Sequence, residues 1–367
     1  MAISAEQVKA LARQCGFELV GITPALPSED FELYQQWREA GMAGEMSYLT
    51  DRRGDLRSDP RNLLPEAQSI ICVGKLYNTP HPSTVDKQKA SVSRYASGAD
   101  YHDVMRRSLQ MLVVKVAEAH GEPFQSKICV DTAPLLERSY AKAAGLGWIG
   151  KNTCLINQEK GSWFFLGEIL VSIPIASDRP APNRCGTCTR CIDACPTEAI
   201  VPGEDGWQLD ARLCISYLTI EKRGEIENDL QPKMANHIFG CDICQDVCPW
   251  NRRAAVTSDS NFQRREMPEL LADLAQFTAE DFRRVFRQSP VWRAKHSGFL
   301  RNVAIALGNT TAESVLEPLQ HLALYPDISV AAAAQQSLRR LQKVPGKEGS
   351  HEATTVCHLA DQSQDTS

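Results

Sequence analysis

Eight of the thirteen cysteines fall into two groups whose spacing suits cluster ligands. Cys185-Gly186-Thr187-Cys188-Thr189-Arg190-Cys191-Ile192-Asp193-Ala194-Cys195-Pro196 is a C-x2-C-x2-C-x3-C-P run, and Cys214 precedes Cys241-Asp242-Ile243-Cys244-Gln245-Asp246-Val247-Cys248-Pro249. Two-residue gaps let successive thiolates take neighbouring corners of an iron–sulfur cubane, and a three-residue gap followed by Pro sends the fourth thiolate to the other cluster. That logic assigns Cys185, Cys188, Cys191 and Cys248 to one [4Fe–4S] cluster, and Cys195, Cys214, Cys241 and Cys244 to a second. Structural zinc is the competing chemistry, since it also uses four Cys in C-x2-C knuckles. Zinc knuckles have no use for a third Cys two residues on, or for Pro after the last, so electron transfer is the better reading.

The other five cysteines, Cys15, Cys72, Cys129, Cys154 and Cys357, are scattered, and four of them lie in apolar surroundings where a thiol is ordinarily a small core residue. Residues 1–9 show neither a basic n-region ahead of an apolar core nor a twin-Arg signal. The most apolar run, residues 163–175, is broken by Glu168 and Pro174 and is shorter than the roughly 20 residues of a bilayer span. A cytoplasmic protein with no membrane association is expected, in a compartment where clustered Cys signify metal rather than disulfides. With 367 residues there is room for two or three domains, and a net charge of −5 confines any nucleic-acid role to a local basic patch.

Helix, strand and loop alternate ahead of the cysteines, which favours a layered α/β (α+β) unit. Ser4-x-x-Gln7 is a capping box, strands are predicted over 17–22 and 69–73, and a helix over 29–40. Asp100-Tyr101-His102 opens a long helix reaching about His120. It is partly similar to the D-x-H-x-x-G loop by which some cobalamin enzymes donate His to cobalt, but Met105 stands where Gly is required. His102 is therefore read as a partly exposed first-turn residue. After a strand over 127–130, Asp131-Thr132-Ala133-Pro134 is predicted to start a helix through Ala144, with Pro134 in its first turn. Asp131 is then either an N-cap or a catalytic group at a strand end, and position alone favours neither.

Gly145-Leu146-Gly147-Trp148-Ile149-Gly150-Lys151-Asn152 imitates a nucleotide loop, but it follows a helix and leads into strands, the wrong order for one. Its glycines imply close approach of backbone to something large, which a flat cofactor would satisfy. Past the cysteines a series of short helices with Leu/Ala faces is similar to HEAT-type repeats. Residues 281–301 carry Arg283, Arg284, Arg287, Arg293, Lys295 and Arg301 against Asp281 alone, with Phe282, Phe286, Trp292 and Phe299 interleaved. On an acidic protein this is a local footprint for RNA or DNA phosphate. Residues after about 344 are polar and predicted to be disordered.

Taken in order, these pieces resemble the epoxyqueuosine reductases, cobalamin- and iron–sulfur-dependent enzymes of queuosine synthesis in tRNA. The resemblance rests on Arg57-x-Asp59-Pro60-Arg61-x-Leu63-Leu64-Pro65, Arg94-Tyr95-Ala96-x-Gly98-x-Asp100-Tyr101-His102 and Asp131-x-x-Pro134-x-x-Glu137-Arg138. It continues through Gly147-Trp148-Ile149-Gly150-Lys151-Asn152, Cys214-Ile215-Ser216-Tyr217-Leu218-Thr219-Ile220-Glu221 and Gly240-Cys241-Asp242-x-Cys244-Gln245-x-Val247-Cys248-Pro249-Trp250-Asn251, ending at Leu300-Arg301-Asn302. It covers nearly the whole chain to about residue 345.

The resemblance implies a cobalamin-binding domain over 1–175, a ferredoxin-type domain with two [4Fe–4S] clusters over 176–255, a HEAT-like tRNA-binding domain over 256–345 and a disordered tail over 346–367. It implies reduction of epoxyqueuosine to queuosine at the tRNA wobble position, the last step of that synthesis, with electrons from a low-potential donor. Cobalamin would lie base-off with no protein His on cobalt. By resemblance Asp131 is the acid that protonates the departing oxygen, with a pKa raised by burial beside the corrin. Arg57, Ser97, Asp131, Gly147, Gly150, Lys151, Asn152, Leu155, Leu166, Ser216 and Glu221 would line the cobalamin site. Ser97 stands where some relatives carry Cys, so a thiolate contact to cobalt there is excluded. Arg283, Arg284, Arg287, Arg293, Lys295 and Arg301, helped by Lys222 and Arg223, would grip the anticodon stem-loop. Nothing in the sequence demands more than a monomer. Reductive dehalogenases share the cobalamin and two-cluster plan and are the rival reading; they typically carry export signals and lack a basic helical tail. A plain ferredoxin on a scaffold would need no N-terminal cofactor domain.

Overall fold

The run Ser69–Leu76 is buried at every position, which requires a strand covered on both faces. The computed structural model describes residues 3–80, 86–310 and 312–342; Cys357 and the predicted tail lie outside the described residues. The strands are β1 (Leu19–Pro24), β2 (Ser69–Leu76), β3 (Ser91–Val92), β4 (Ser126–Cys129), β5 (Trp148–Ile149), β6 (Leu155–Ile156), β7 (Phe164–Val171), β8 (Ile200–Gly203), β9 (Gly206–Leu209) and β10 (His237–Phe239). Four of them form one sheet in the order β1-β2-β7-β4, with every pairing antiparallel.

Alternation along β2 and β7 sorts their side chains between two layers. Ile71, Val73, Ile169 and Val171 pack with Val8 and Ala12 of the helix Ala5–Gln14 and with Val104 to Val116 of the helix Tyr101–His120. Ile70, Cys72 and Leu170 face the other way, towards Tyr140 and Ala141 of the helix Glu137–Ala143. Register places Glu168 of β7 between Cys72 of β2 and Cys129 of β4, so a carboxyl occupies the middle of the sheet.

The capping box at Ser4 and Gln7 forms as predicted. Asp131 departs from its expected place. The helix starts at Glu137 with Leu136 as its N-cap, so neither Asp131 nor Pro134 belongs to its first turn. Asp131 instead sits in the connecting loop at φ 49°, in the left-handed region that Asp tolerates better than most residues.

β3 pairs in parallel with β10, and this pairing joins the motif at Ser93-Arg94-Tyr95 to the second cysteine loop. Ser93 Oγ donates to Asp242, the Arg94 backbone N–H donates to the same carboxylate at 2.8 Å, and the Arg94 guanidinium reaches Asp246 at 2.7 Å. Gly240, just before Cys241, has φ 71°, and a Cβ there would lie 2.5 Å from Ser93 Cβ. Only glycine allows this approach.

Beyond the cysteines come the helices Ala279–Phe286, Lys295–Leu307, Leu316–Leu322 and Ile328–Gln342. One core unites them with Leu218 of the helix Ile215–Ile220 and Phe239 of β10. Phe282, Phe286 and Phe299 belong to that core, so these aromatics are packing residues and offer no stacking platform for bases. Arg301 is likewise interior, 1% exposed. Its guanidinium donates to the carbonyls of Leu218, Lys222 and Gly224 at 2.8 to 2.9 Å, while Asn302 holds those of Thr219 and Ile238. The expected RNA contact at Arg301 is therefore corrected: it staples the terminal helices to the cysteine region.

Candidate active site

Cys185, Cys188, Cys191 and Cys248 line one cavity of about 220 Å³, the set that the ligand-swap logic joins across the chain. Among the described residues no three His, Cys, Asp or Glu side chains converge at single-ion distance, and the thiols surround a space sized for a larger group. Trp148 Nε1 is buried without an acceptor among the described residues, in the same apolar group as Cys185 and Cys248. An inorganic sulfide would satisfy that indole N–H. Cys195, Cys214, Cys241 and Cys244 interact with one another in a second set. Backbone N–H groups turn towards these sulfurs: Ala199 to Cys195 at 3.3 Å, Ser216 and Tyr217 to Cys214, Ile243 to Cys241. Such donors stabilise thiolate charge, which burial otherwise opposes. Both sets fit iron–sulfur clusters.

Cys154 was expected to be a core thiol. It is only partly buried, and its thiol is hydrogen-bonded to Cys244 at the edge of the second set.

The Gly145–Asn152 loop meets these cysteines directly. Lys151 Nζ donates to the carbonyls of Gly186 and Cys188 at 2.8 and 3.0 Å, and Asn152 Nδ2 to that of Cys244 at 3.3 Å. The glycines serve the chain itself: a Cβ on Gly147 would lie 2.1 Å from the Ile156 carbonyl oxygen, and one on Gly150 2.5 Å from Ile156 Cδ1. The close backbone approach expected of these glycines is thus made to Ile156. Leu155 is a core residue, 4% exposed, and Leu166 of β7 is half-buried against the same core.

The second centre is built on Asp131. His102 lies between two carboxylates, with Nδ1 2.7 Å from Asp100 Oδ1 and Nε2 2.9 Å from Asp131 Oδ2. Burial alone would lower the imidazolium pKa, but hydrogen bonds to Asp100 and Asp131 and their charges hold it up to about 9. His102 is therefore charged at neutral pH and donates from both nitrogens. For Asp131 burial acts upward, yet the His102 hydrogen bond and charge together with the Arg293 charge outweigh it, and the carboxyl ends below its usual value. The raised pKa expected of Asp131 is tied to burial beside a corrin; the protein's own charged groups act in the other direction. In this arrangement the transferable proton rests on His102, which sequence reasoning had treated as an ordinary first-turn residue.

Arg293 also lies elsewhere than expected. Its Nε is 2.8 Å from Glu221 Oε1 and its Nη1 3.5 Å from Asp131 Oδ2, with Tyr48 beside it at 3.2 Å. Burial raises Glu221 against the pull of Arg293, and raises the Tyr48 phenol to about 12. Arg57, 5% exposed, supports Tyr48 by donating to its carbonyl at 3.3 Å. Ser97 is half-buried on the turn ahead of Asp100, and Ser216 borders Cys214. Arg138 donates to the Thr153 carbonyl, which ties the Asp131 loop to the loop touching the second cysteine set. Arg283, Arg287 and Lys295 are exposed, and so is Arg284, paired with Asp281 at 2.6 Å; Arg223 is exposed too but donates to the carbonyls of Ile220, Ala294 and Arg293, and Lys222 is paired with Glu45 at 2.7 Å.

Residues 57–132 match the family profile described as "Epoxyqueuosine reductase QueG, DUF1730", and residues 184–251 match "4Fe-4S double cluster binding domain". An epoxyqueuosine reductase of Xanthomonas campestris pv. campestris is 43% identical over 325 residues, 86% of this chain and 90% of that protein. The chain belongs to the epoxyqueuosine reductase family. The epoxyqueuosine reductase of Pseudomonas aeruginosa is 42% identical over 346 residues, 92% of this chain and 94% of that one. Among solved structures, an epoxyqueuosine reductase with a tRNA-Tyr epoxyqueuosine-modified stem loop superposes with a TM-score of 0.82 at 28% identity, covering 92% of this chain and 89% of that one. A Bacillus subtilis epoxyqueuosine reductase, TM-score 0.81 at 27% identity over 92% and 90% of the two chains, has its catalytic Asp loop swung out of the active site.

Proposed function

We propose that this chain reduces epoxyqueuosine in a tRNA anticodon loop to queuosine, using cobalamin and two [4Fe–4S] clusters fed by a low-potential donor. The observation that carries the reading is the Asp131 carboxylate, 37% exposed and 2.9 Å from a charged His102. Releasing an epoxide oxygen as water takes two electrons and two protons, and an unprotonated alkoxide is a poor leaving group. When bound, cobalamin would supply a low-valent cobalt nucleophile, and the clusters would supply electrons singly.

The chain's own residues handle the protons. The Asp131 carboxylate faces the departing oxygen and passes to it a proton drawn from His102, while Asp100 fixes the imidazole through Nδ1 and solvent supplies the second proton of the released water. Arg293 faces Asp131 with a positive charge and is itself held by Glu221. With both nitrogens engaged by carboxylates, His102 is not free to bind a metal. Arg57, Ser97, Gly147, Gly150, Lys151, Asn152, Leu155, Leu166, Ser216 and Glu221 are the residues proposed to surround it. The exposed cations Arg283, Arg284, Arg287, Lys295 and Arg223 suit the phosphates of a stem-loop, as in the relative solved with one. A splayed-out base reaches a buried site only from single-stranded RNA. We assign the cofactor role to 1–175, the clusters to 176–255 and RNA binding to 256–345, in a cytoplasmic monomer. Among the described residues no helix is long and apolar enough to cross a membrane.

The test is anaerobic incubation of cluster-loaded protein with cobalamin, a low-potential reductant and epoxyqueuosine-containing tRNA, followed by mass spectrometry of the digested nucleosides. Loss of one oxygen with wild type but not with Asp131→Asn supports the reading. Binding of cobalamin and both clusters with an unchanged nucleoside would favour a dehalogenase-like reduction of a small molecule.

A further inference from the structure

Two cysteine sets that pass electrons inward need a point of entry, and they differ in how they meet the surface. Around the first set, the intervening residues Gly186, Thr187, Thr189 and Arg190 and the following Pro249 are exposed. Around the second set, the flanking residues Thr197, Ile215, Gly240 and Asp242 are buried. Consecutive residues of one loop join the sets, Lys151 donating to the Cys188 carbonyl at 3.0 Å and Asn152 to that of Cys244 at 3.3 Å. The second set is also the one tied to the active site. Cys214 caps the helix Ile215–Ile220, which ends at Glu221, the partner of Arg293. Electron transfer weakens steeply with distance, so an electron from outside enters at the first set and moves on through the second.

Positive charge frames that entry. Arg184 and Arg190 line the cavity of Cys185, Cys188, Cys191 and Cys248, together with Lys151, Pro249 and Trp250. Residues 179–192 and 247–253 carry Arg179, Arg184, Arg190, Arg252 and Arg253, all exposed, and no Asp or Glu, on a chain whose net charge is −5. Among the described residues neither Arg184 nor Arg190 pairs with a carboxylate. The acids that bound these segments are engaged elsewhere: Asp178 lies 2.6 Å from Lys9, Asp246 lies 2.7 Å from Arg94, and Asp193 accepts from the Thr189 hydroxyl.

We infer that the rim of Arg184 and Arg190 is the docking surface of a small acidic protein that carries one electron at a time, delivered to the cluster of Cys185, Cys188, Cys191 and Cys248. The inference rests on the two-cluster reading and names the class of the low-potential donor. Carboxylates around the carrier's redox centre would meet the arginines, which steers the encounter and brings the two centres face to face. Interfaces of transient redox pairs are small, so a rim of this size suffices. With a flavodoxin as carrier, its hydroquinone anion becomes the neutral semiquinone, the oxidised cluster gains that electron, and no proton moves. Two such encounters supply the two electrons of one epoxide reduction. RNA phosphate is the competing occupant of a basic patch, but it has no use for an adjoining thiol set, and Arg283, Arg284 and Arg287 of the helical tail already serve it.

The test reads association and cluster reduction, and it needs no turnover. Cluster-loaded protein is mixed by stopped flow with photoreduced flavodoxin, and formation of the flavodoxin semiquinone is followed at about 0.1 M and about 1 M salt. Arg184→Glu with Arg190→Glu should slow it by about 10- to 10²-fold at the lower salt and weaken binding of oxidised flavodoxin in parallel. At the higher salt the difference should largely vanish. Arg184→Lys with Arg190→Lys should stay near the wild-type rate. Reduction by the methyl viologen radical cation, which needs no basic dock, should be no slower in any variant. Arg184 and Arg190 adjoin cluster ligands, so Arg252→Glu with Arg253→Glu is the second variant, expected to slow flavodoxin by about fivefold with full iron content. Equal flavodoxin rates in wild type and both charge-reversed variants, a wild-type rate insensitive to salt, or a fall in tRNA affinity with the flavodoxin rate unchanged overturns the docking surface. Failure of the nucleoside assay with this pattern intact would instead overturn only the proposed reaction.

Discussion

His102 Nε2 lies 2.9 Å from Asp131 Oδ2, and this contact decides which of the two carries the proton. Asp131 is depressed and His102 is held up to about 9, so the acid of this site is a two-residue unit oriented by Asp100.

His102→Ala should lower the single-turnover rate of epoxide reduction by about 10² to 10⁴, the span of a lost general acid. Asp131→Asn should lie in the same range, and the double variant should lose little more, because the two act as one unit. Cluster content and tRNA affinity of each variant should match wild type, measured by iron assay and filter binding.

The rate should hold below about pH 9 and fall above it, as His102 gives up its proton. The sign also applies to stability. A His raised from 6.5 to about 9 stabilises the fold fully below 6.5, and that contribution is lost as pH rises through about 9. In His102→Gln the alkaline fall of the rate should disappear, leaving a low rate without it.

Cys248→Ser should remove the cluster of Cys185, Cys188 and Cys191, with which it shares a cavity, and spare the other. Iron should drop from about eight to about four per chain. Cys244→Ser should remove the complementary cluster, and electron paramagnetic resonance of the two reduced variants should give different single-cluster spectra. Identical residual spectra would break the swapped assignment.

Replacing Arg283, Arg284 and Arg287 together by Ala should weaken tRNA binding and reduce the salt slope of log K by about two to three. Their exposure makes a stability change small.

Arg301→Ala should do the reverse. It strands the carbonyls of Leu218, Lys222 and Gly224 in the interior, for a loss of about 3 kcal/mol in a denaturant titration. The salt slope of RNA binding should be unchanged.

Local rules made much of this protein legible before any coordinates. The capping box at Ser4 and the strand over 69–73 depend on neighbours within a few residues, and both form as read. Ordered motifs likewise pointed to the family. Tertiary structure decided what depends on distant partners. His102 and Asp131 are brought together by the antiparallel sheet and its covering helix, so the sign of the Asp131 shift had no sequence signature. Arg283 and Arg301 are both arginines of one basic run, yet one faces water and the other is closed inside the helix core. A charge run records how many cations exist, while burial depends on which helix face meets Leu218 and Phe239, a matter of packing across the whole chain.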